Sequence, residues 1–383
     1  MKKRPLFVTI IVTSFMLFST GCGTAPAGDG SVIVTESEGN SLTVCNFNNV
    51  KDTVTLNLSD LVQDFKIVRF ENKDEAYFKP ALPIITDKYI GIRQSNRPFL
   101  LFDHTGKLIC KVGSIGGGPG EYTSLYDEAI QDQPGKVYLS PFANSRKVLE
   151  YNTDGSFVGE IIVKANLNKP KIDVSDNGDI TLVHMPFSTD EDPFLALQYD
   201  KDGHLKSELK PSGGLLVQAM DPTYGFVGFN NEVFSYRNTP DFSFMITSCD
   251  TLFHYDKEKN KAYPKFTMNF GRGEEIPGHI YSEIANYYLT VVFGKGVIYV
   301  DKKKNTSDYI KIVNDFFGHM DAPTFNFNKG WFYQMFEPSS LVEKIEERLA
   351  KSDCSAKDRK QLEEMMSSLD ENDNNVLFIA KLK

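Results

Sequence analysis

A segment that recurs about every fifty residues is the feature that most limits the folds open to this chain. The three clearest copies have an apolar run, an aromatic residue, an Asp or Asn, a turn containing Gly, and a second strand-like run, and two weaker copies contain the apolar run and the Asp. The Asp or Asn positions are separated by 49, 48, 56 and 45 residues. They are Asp103, Asn152, Asp200, Asp256 and Asp301. A period of this length with several strands per unit is typical of a β-propeller.

The turns in these copies have a simple physical basis. Asp or Asn hydrogen-bonds to its own backbone, and Gly adopts the positive φ that reverses the chain. A single immunoglobulin-like sandwich also contains short strands and turns, but it would not repeat with this period over most of the chain. We therefore predict an all-β fold, a six-bladed β-propeller with four-stranded antiparallel blades.

Placing four strands in each unit gives six blades and an incomplete last one. The predicted second strands of the blades, counted outward from the channel, are 89–93, 136–140, 179–184, 232–237, 288–293 and 331–335. Blade six obtains its third strand from 375–383, where the sequence stops, and so lacks a fourth. We predict that the N-terminal strand 53–58 fills this place and closes the ring, because closure removes exposed sheet edges.

The last blade is interrupted at about 338–371 by a helical pattern. Leu341, Ile345 and Leu349 recur at a spacing of four, and a second apolar run follows Ser355. This spacing predicts an amphipathic helical hairpin against the propeller. It could serve as a lid or docking element, or only as a packing insert, and we favour packing.

The N-terminus reads as a secretory signal over 1–21. Lys2, Lys3 and Arg4 precede an apolar run over 6–18, which is shorter than the roughly 20 residues of a membrane span. Cys22 directly follows Gly21 and resembles a lipobox cysteine, although an ordinary cleaved signal with a chance Cys is the alternative. We predict a lipidated flexible tether over 22–45 and a single propeller domain over 46–383. The protein would then be lipid-anchored in the cell envelope, at the outer membrane, facing either the periplasm or the exterior.

Charge and cysteine content exclude several function classes. The formal net charge is −9 and becomes about −12 once the three cations of the signal are removed. An acidic chain without Lys/Arg blocks is a poor nucleic-acid binder. Four further cysteines, Cys45, Cys110, Cys249 and Cys354, are scattered without a Cys-x-x-Cys pair, so a disulfide and buried thiols both stay open. No metal site, cofactor or catalytic residue is predicted, and we expect a monomer.

One stretch resembles an NHL-type propeller repeat. It runs from Val112 through the glycine-rich segment 113–122 and continues at 135–139, 144–146 and 154–155. With the lipobox and the C-terminal helical insert, the whole chain is similar to six-bladed propeller lipoproteins of gut-type Gram-negative anaerobes. That resemblance implies the fold and says little of function. The run Gly116–Gly120 lacks the Gly-Lys-Ser/Thr ending of a phosphate loop, so it indicates a tight crossover between blades.

A candidate ligand site emerges from the ends of the predicted second strands. In a propeller these ends surround one mouth of the channel. We expect long polar side chains there at Arg93, His184, Arg237 and Gln334. Arginine holds carboxylates through its planar, forked donors, and the neighbouring Tyr236 and Trp331 offer stacking surfaces.

We therefore predict a cell-envelope binding module that captures a polar or anionic ligand, such as a glycan or peptide, or a protein partner. The alternatives are a propeller enzyme, lactonase-like or lyase-like and with a possible Ca²⁺ in the channel, and a scaffold for envelope proteins. A convergent set of channel carboxylates would favour the enzyme.

Overall fold

Six antiparallel sheets surround a central channel in the computed structural model, which describes residues 30–37, 40–142, 145–271 and 276–383. Four strands precede the first blade: β1 (Val32–Ser37), β2 (Asn40–Asn46), β3 (Thr53–Asn57) and β4 (Val62–Arg69). A short helix, α1 (Leu58–Leu61), separates β3 from β4.

Blades one to three each use four consecutive strands, running from the channel outward. Blade one contains β5 (Pro83–Ile85), β6 (Tyr89–Ile92), β7 (Phe99–Asp103) and β8 (Leu108–Val112). The short strands β9 (Ser114–Ile115) and β10 (Glu121–Tyr122) lead to blade two, with β11 (Leu125–Gln131), β12 (Lys136–Pro141), β13 (Ser145–Asn152) and β14 (Phe157–Leu167). Blade three contains β15 (Lys171–Val174), β16 (Ile180–Val183), β17 (Ala196–Tyr199) and β18 (Leu205–Leu209).

Blades four to six are extended or completed by elements from elsewhere in the chain. After the hairpin β19 (Met220–Asp221) and β20 (Gly225–Phe226), blade four contains β21 (Val233–Phe234), β22 (Phe242–Ile246), β23 (Cys249–Asp256) and β24 (Lys261–Asn269). Blade five contains β25 (His279–Ile284), β26 (Tyr287–Val292), β27 (Gly296–Asp301) and β28 (Thr306–Asn314), followed by β29 (Met320–Ala322). Blade six contains β30 (Phe327–Asn328), β31 (Trp331–Phe336), β32 (Val376–Leu382) and β4. The prediction of a six-bladed propeller is confirmed.

The predicted Asp-x-x-Gly turns join the third and fourth strands of several blades. In blade one, Asp103 accepts hydrogen bonds from the backbone N–H groups of Thr105 and Lys107, at 2.8 and 3.2 Å. Gly106 completes this turn with a φ of 86°. These local bonds satisfy the polar groups of a tight reversal, which is why the pattern recurs in blades one, two and three.

An N-terminal strand closes the ring, as predicted, but it is not the one expected. β4 pairs with β32 as the outer strand of blade six, with Ile67 opposite Phe378. The predicted strand, here β3, instead runs parallel to β28 of blade five. Val62 and Val68 of β4 are buried, and α1 separates the two strands. The prediction of 53–58 as the closing strand is therefore wrong. The next strand along the chain, β4, also has buried apolar side chains, and it is β4 that pairs with β32.

Blade four differs from its predicted strand order. The segment 232–237, predicted as the second strand, contains the short inner strand β21, and β22 is the second strand. Every residue of β22 is buried, so it lacks the alternation of a half-exposed strand. The residues just before this segment form the separate hairpin of β19 and β20.

The predicted tether is partly folded. β2 runs parallel to β24 at the outer edge of blade four, and β1 pairs with β2 beyond it. The prediction of a flexible tether is therefore wrong for residues 32–45, apart from 38 and 39, which lie outside the described residues. The predicted signal 1–21 and Cys22 also lie outside them.

The predicted helical hairpin is present between β31 and β32, as α2 (Pro338–Leu349) and α3 (Ala356–Ser367). Its apolar residues, including Leu341 and Leu362, pack with Phe317 and Phe378 of blades five and six. Arg348 Nε also donates to the Gly318 carbonyl oxygen at 2.9 Å. These contacts favour a packing insert over a lid. Among the described residues, none of the helices has the length and apolar character needed to cross a membrane.

Candidate functional site

A cup of about 320 Å³ opens at one mouth of the channel. This is the mouth at which the second strands of the blades end, so the cup lies on the expected face. Its wall contains three cationic side chains, Arg93, Lys171 and Arg237, together with the carboxylates of Asp127, Glu128 and Glu232. Tyr126, Tyr236 and Tyr333 add aromatic surface. The cup is therefore charged and partly aromatic.

Contacts across the channel form the floor of the cup. The Lys329 N–H donates to the carbonyl oxygen of Tyr236 at 2.7 Å, and the Gly330 N–H donates to Asn238 Oδ1 at 3.2 Å. The Lys329 ammonium reaches the opposite wall and donates to the carbonyl oxygen of Glu128 at 2.6 Å. Blades two, four and six are thus joined below the cup.

Arg237 is a structural cation rather than an open anion receptor. It lies in the left-handed region with a φ of 52°, and its Nη2 is 3.0 Å from Asp127 Oδ2. Its Nη1 donates to the carbonyl oxygen of Ile172. Although burial raises the pKa of Asp127, the charges of Arg237, Lys171 and Lys329 together with the hydrogen bond from the Ile172 N–H outweigh it and hold that pKa at about 2. The guanidinium is therefore largely engaged by the protein itself.

Arg93, which follows β6 of blade one, is also paired with a carboxylate of blade two. Its Nε lies 2.8 Å from Glu128 Oε2, and its Nη1 donates to the Leu125 carbonyl oxygen at 3.1 Å. Burial raises the pKa of Glu128, and the Arg93 charge opposes that rise. Arg93 is more exposed than Arg237, with 28% of its side chain accessible against 6%. It can therefore still face a ligand while it neutralises Glu128.

Among the described residues, Lys171 is not within ion-pair distance of a carboxylate, although the charges of Asp127 and Glu128 in the same cup act on it and favour its charged form. Its ammonium lies 4.6 Å from the centre of the Tyr126 ring. Burial lowers its pKa to about 8, and the same cause lowers the pKa of Lys329 to about 8. Glu232 is already paired with Lys169 at 3.0 Å. Because Lys169 pairs with Glu232, the three cations that line the described part of the cup share two remaining carboxylates, Asp127 and Glu128.

The structure separates the predicted site residues into two groups. Arg93, Arg237 and Tyr236 line the cup, although Arg237 and Tyr236 reach it from the segment after the inner strand β21. Gln334 lines another cavity, of about 160 Å³, beside Arg348 of the helical insert. Its predicted place at the channel mouth is wrong, because the side chain faces the insert.

His184 and Trp331 were also predicted at the mouth, and both are buried elsewhere. Nδ1 of His184 accepts from the Asn168 N–H at 3.2 Å, and Nε2 lies 2.6 Å from the Phe194 carbonyl oxygen. Trp331 packs among blades one and six, with its ring 5.6 Å from that of His104. Their prediction as ligand-binding residues is therefore wrong, since the His184 ring is hydrogen-bonded to buried backbone groups and the Trp331 ring is packed in the core.

Sequence reasoning missed the charged residues of the inner strands. Asp127 and Glu128 are adjacent in the apolar strand β11, and Lys171 begins β15. Paired carboxylates inside a strand buried by its neighbours were the available signal, because such charges need partners. Their cationic partners come from other blades and are distant in sequence.

The cysteines and the glycine run have structural places in the described chain. Within the described residues, Cys110, Cys249 and Cys354 form no disulfide, and Cys45 is buried. The glycine run lies between β8 and β11, where the chain passes from blade one to blade two. It is a crossover, as predicted, and the Gly118 N–H donates to Glu121 Oε2 at 2.8 Å within it.

The fold and the cup define a class, a six-bladed propeller with a charged pocket at one mouth of the channel. Within this class, the chain belongs to the family described as Domain of unknown function (DUF4934), whose model matches residues 42–381. No curated protein matches it.

Solved structures with a related fold include a "Putative exported protein" from Bacteroides fragilis NCTC 9343. The two are 14% identical with a TM-score of 0.61, over 89% of this chain and 99% of that one. The WD40 propeller domain of Doa1 is less similar, at 10% identity and a TM-score of 0.35, over 55% of this chain and 59% of that one.

Proposed function

We propose that this protein is an exported binding module that takes an anionic ligand in the cup at the channel mouth. The observation that carries the proposal is Lys171, a cation that faces the cup and, among the described residues, is not within ion-pair distance of a carboxylate. A partly desolvated ammonium gains from an incoming anion more than an exposed one does, because water screens it less. The similar protein described as exported supports a location outside the cytoplasm.

The pairing of the channel carboxylates favours binding over a Ca²⁺-dependent enzyme. Such an enzyme needs several carboxylate oxygens that are open to the ion. Asp127 is paired with Arg237, Glu128 with Arg93, and Asp173 with Lys257. The set of channel carboxylates that would have supported the enzyme is thus present, but its members neutralise protein cations.

Binding of small anions tests this proposal. Inorganic phosphate and D-galacturonate are titrated calorimetrically into the purified protein and its Lys171→Met variant, with neutral D-galactose as the ligand control. We expect Lys171→Met to weaken anion binding at least tenfold. Lys210→Met is the matched control, because Lys210 is exposed and paired with Asp192, and it should leave binding unchanged.

The pH dependence of the same titration gives an independent check. Lys171 is charged below its pKa of about 8 and neutral above it. Anion affinity should therefore be retained at pH 6.5 and fall as the pH rises through about 8. No Lys171-dependent binding of either anion, at any of these pH values, would overturn the proposal.

A further inference from the structure

A second cavity lies beside the cup, across the face of blade two. It has a volume of about 700 Å³, and Phe142, Arg146 and Ile162 are among the residues that line it. Tyr126 lines the cup and Phe142 lines the second cavity, and their ring centres are only 5.6 Å apart. The two rings therefore form a bridge that connects the cavities.

One bridging ring, Phe142, and its aromatic neighbour Phe229 are exposed, whereas Tyr126 is half-buried. Phe142 is 44% exposed, and the neighbouring Phe229, whose ring centre is 6.4 Å away, is 39% exposed. Large exposed aromatic side chains grouped next to a polar pocket are typical of binding surfaces. Their faces suit a ligand that is itself built of rings with apolar faces.

Cations lie on both sides of this aromatic bridge. Lys171 is on the cup side. On the other side, Arg146 lines the second cavity, and its Nη2 donates to the carbonyl oxygen of Lys164. Among the described residues, neither cation is within ion-pair distance of a carboxylate, although Asp127 and Glu128 share the cup with Lys171, and Arg146 also borders a cavity lined by Asp190, Glu191 and Asp192. A surface that alternates cation, aromatic rings and cation complements a chain that alternates acidic groups and rings.

The backbone at the cup argues against an acidic peptide that adds as a strand. Strand addition requires free N–H and C=O groups at a sheet edge. The Ile172 N–H already donates to Asp127 Oδ2 at 2.7 Å, and Arg237 donates to the Ile172 carbonyl oxygen. The Glu128 carbonyl oxygen is taken by Lys329. Side chains thus occupy the groups that a peptide strand would use.

We infer that the ligand is an acidic oligosaccharide that extends from the cup over Tyr126 and Phe142 into the second cavity. This inference rests on the proposed function and names the ligand class for that same site. An acidic sugar unit occupies the cup against Lys171. The next units stack on the aromatic bridge, and a further acidic group meets Arg146, whose planar donors fit a carboxylate.

The test compares ligands of increasing length. Mono-, tri- and hexagalacturonate are titrated into the purified protein, with neutral maltohexaose and hexaglutamate as comparison ligands. We expect hexagalacturonate to bind at least tenfold more tightly than the monomer, and more tightly than either comparison ligand. Phe142→Ala should remove this length gain and leave the affinity for the monomer unchanged, because Phe142 lines the second cavity and not the cup. The variant should still fold, since this ring is exposed.

Two further variants separate the parts of the site. Arg146→Met should weaken the hexamer only, whereas Lys171→Met should weaken all lengths. If the monomer binds in a Lys171-dependent way and the hexamer binds no more tightly, the extended site is wrong and the channel-mouth proposal survives. Tighter binding of hexaglutamate or maltohexaose would overturn the acidic-oligosaccharide assignment. Absence of hexagalacturonate binding would do the same, even where phosphate binds.

Discussion

Burial lowers the pKa of both His184 and Lys171, but the two residues have opposite surroundings. Both ring nitrogens of His184 have backbone partners, and the ring stacks on Phe194 with centres 4.0 Å apart. Lys171 faces the cup, with its ammonium over the Tyr126 ring, and among the described residues it is not within ion-pair distance of a carboxylate. The histidine is therefore part of the core, whereas the lysine retains charge that a ligand can use.

His184 should make the fold sensitive to mild acid. Burial lowers its pKa to about 4, from an ordinary value of 6.5. Between these values the unfolded chain binds a proton that the folded chain does not, so stability falls as the pH decreases from 6.5 towards 4. Over pH 7 to pH 5 we expect His184 to account for a loss of about 2 kcal/mol in the free energy of unfolding.

Denaturant unfolding of the His184→Gln variant measures this contribution. Glutamine does not titrate in this range. The free energy of unfolding of the variant should therefore fall by about 2 kcal/mol less than that of the unchanged protein between pH 7 and pH 5. His204→Gln is the control, because His204 lies exposed in a turn, and its pH profile should match the unchanged protein. Equal profiles for all three proteins would mean that His184 is not held neutral.

At the scale of elements, the crossovers between blades need special backbone conformations. Gly113 follows β8 with a φ of 70°, and a Cβ there would lie 2.7 Å from the hydroxyl oxygen of Tyr151. Tyr122 locks the same crossover, because its hydroxyl donates to the Val112 carbonyl oxygen at 2.7 Å and accepts from the Phe99 N–H. The chain therefore enters blade two along a tightly packed path.

We expect Gly113→Ala to destabilise the propeller by about 2–4 kcal/mol. The left-handed backbone costs about 1–2 kcal/mol for a residue with a Cβ, and the clash with tyrosine adds an overpacking penalty. Gly117→Ala is the matched control in the same run, since its Cβ would meet nothing within 4 Å. Equal unfolding free energies for the two variants, measured in denaturant, would show that the crossover is not constrained at Gly113.

At the scale of the whole molecule, the N-terminal segment is tied to three blades. β2 extends blade four, β3 extends blade five, and β4 completes blade six. Because β1 already begins at Val32, the folded domain starts closer to Cys22 than a tether ending at residue 45 would allow. We propose that lipid on Cys22 holds the propeller at the membrane through a short connection.

The anchor is tested by fractionation of cells that produce the Cys22→Ala variant. The unchanged protein should sediment with membranes, and the variant should move to the soluble envelope fraction because it lacks the acylated thiol. Cys354→Ala is the control and should sediment like the unchanged protein. A Cys22→Ala variant that stays with membranes in high salt would show that lipid on Cys22 is not the anchor.

Much of the architecture was predictable because local patterns carry it. The turns after Asp103 and Asp200, the second strands of blades one, two, three, five and six, and the helical insert all follow from short stretches of sequence. Blade four was misassigned because β22 is buried throughout and shows no alternation. Burial on both faces depends on neighbours that are remote in sequence.

The sequence by itself determined the blade count, the turn chemistry and the position of the insert. The blade count follows from the repeat of about fifty residues, and the turns and the insert follow from hydrogen bonds and periodicity within short segments. Only the tertiary structure decided which N-terminal strand closes the ring and which cations reach the cup. Arg237 meets Asp127 across 110 positions of chain, and Lys329 meets Glu128 across 201. Pairs so distant are set by the closure of the ring, because only closure brings the inner strands of different blades to one channel.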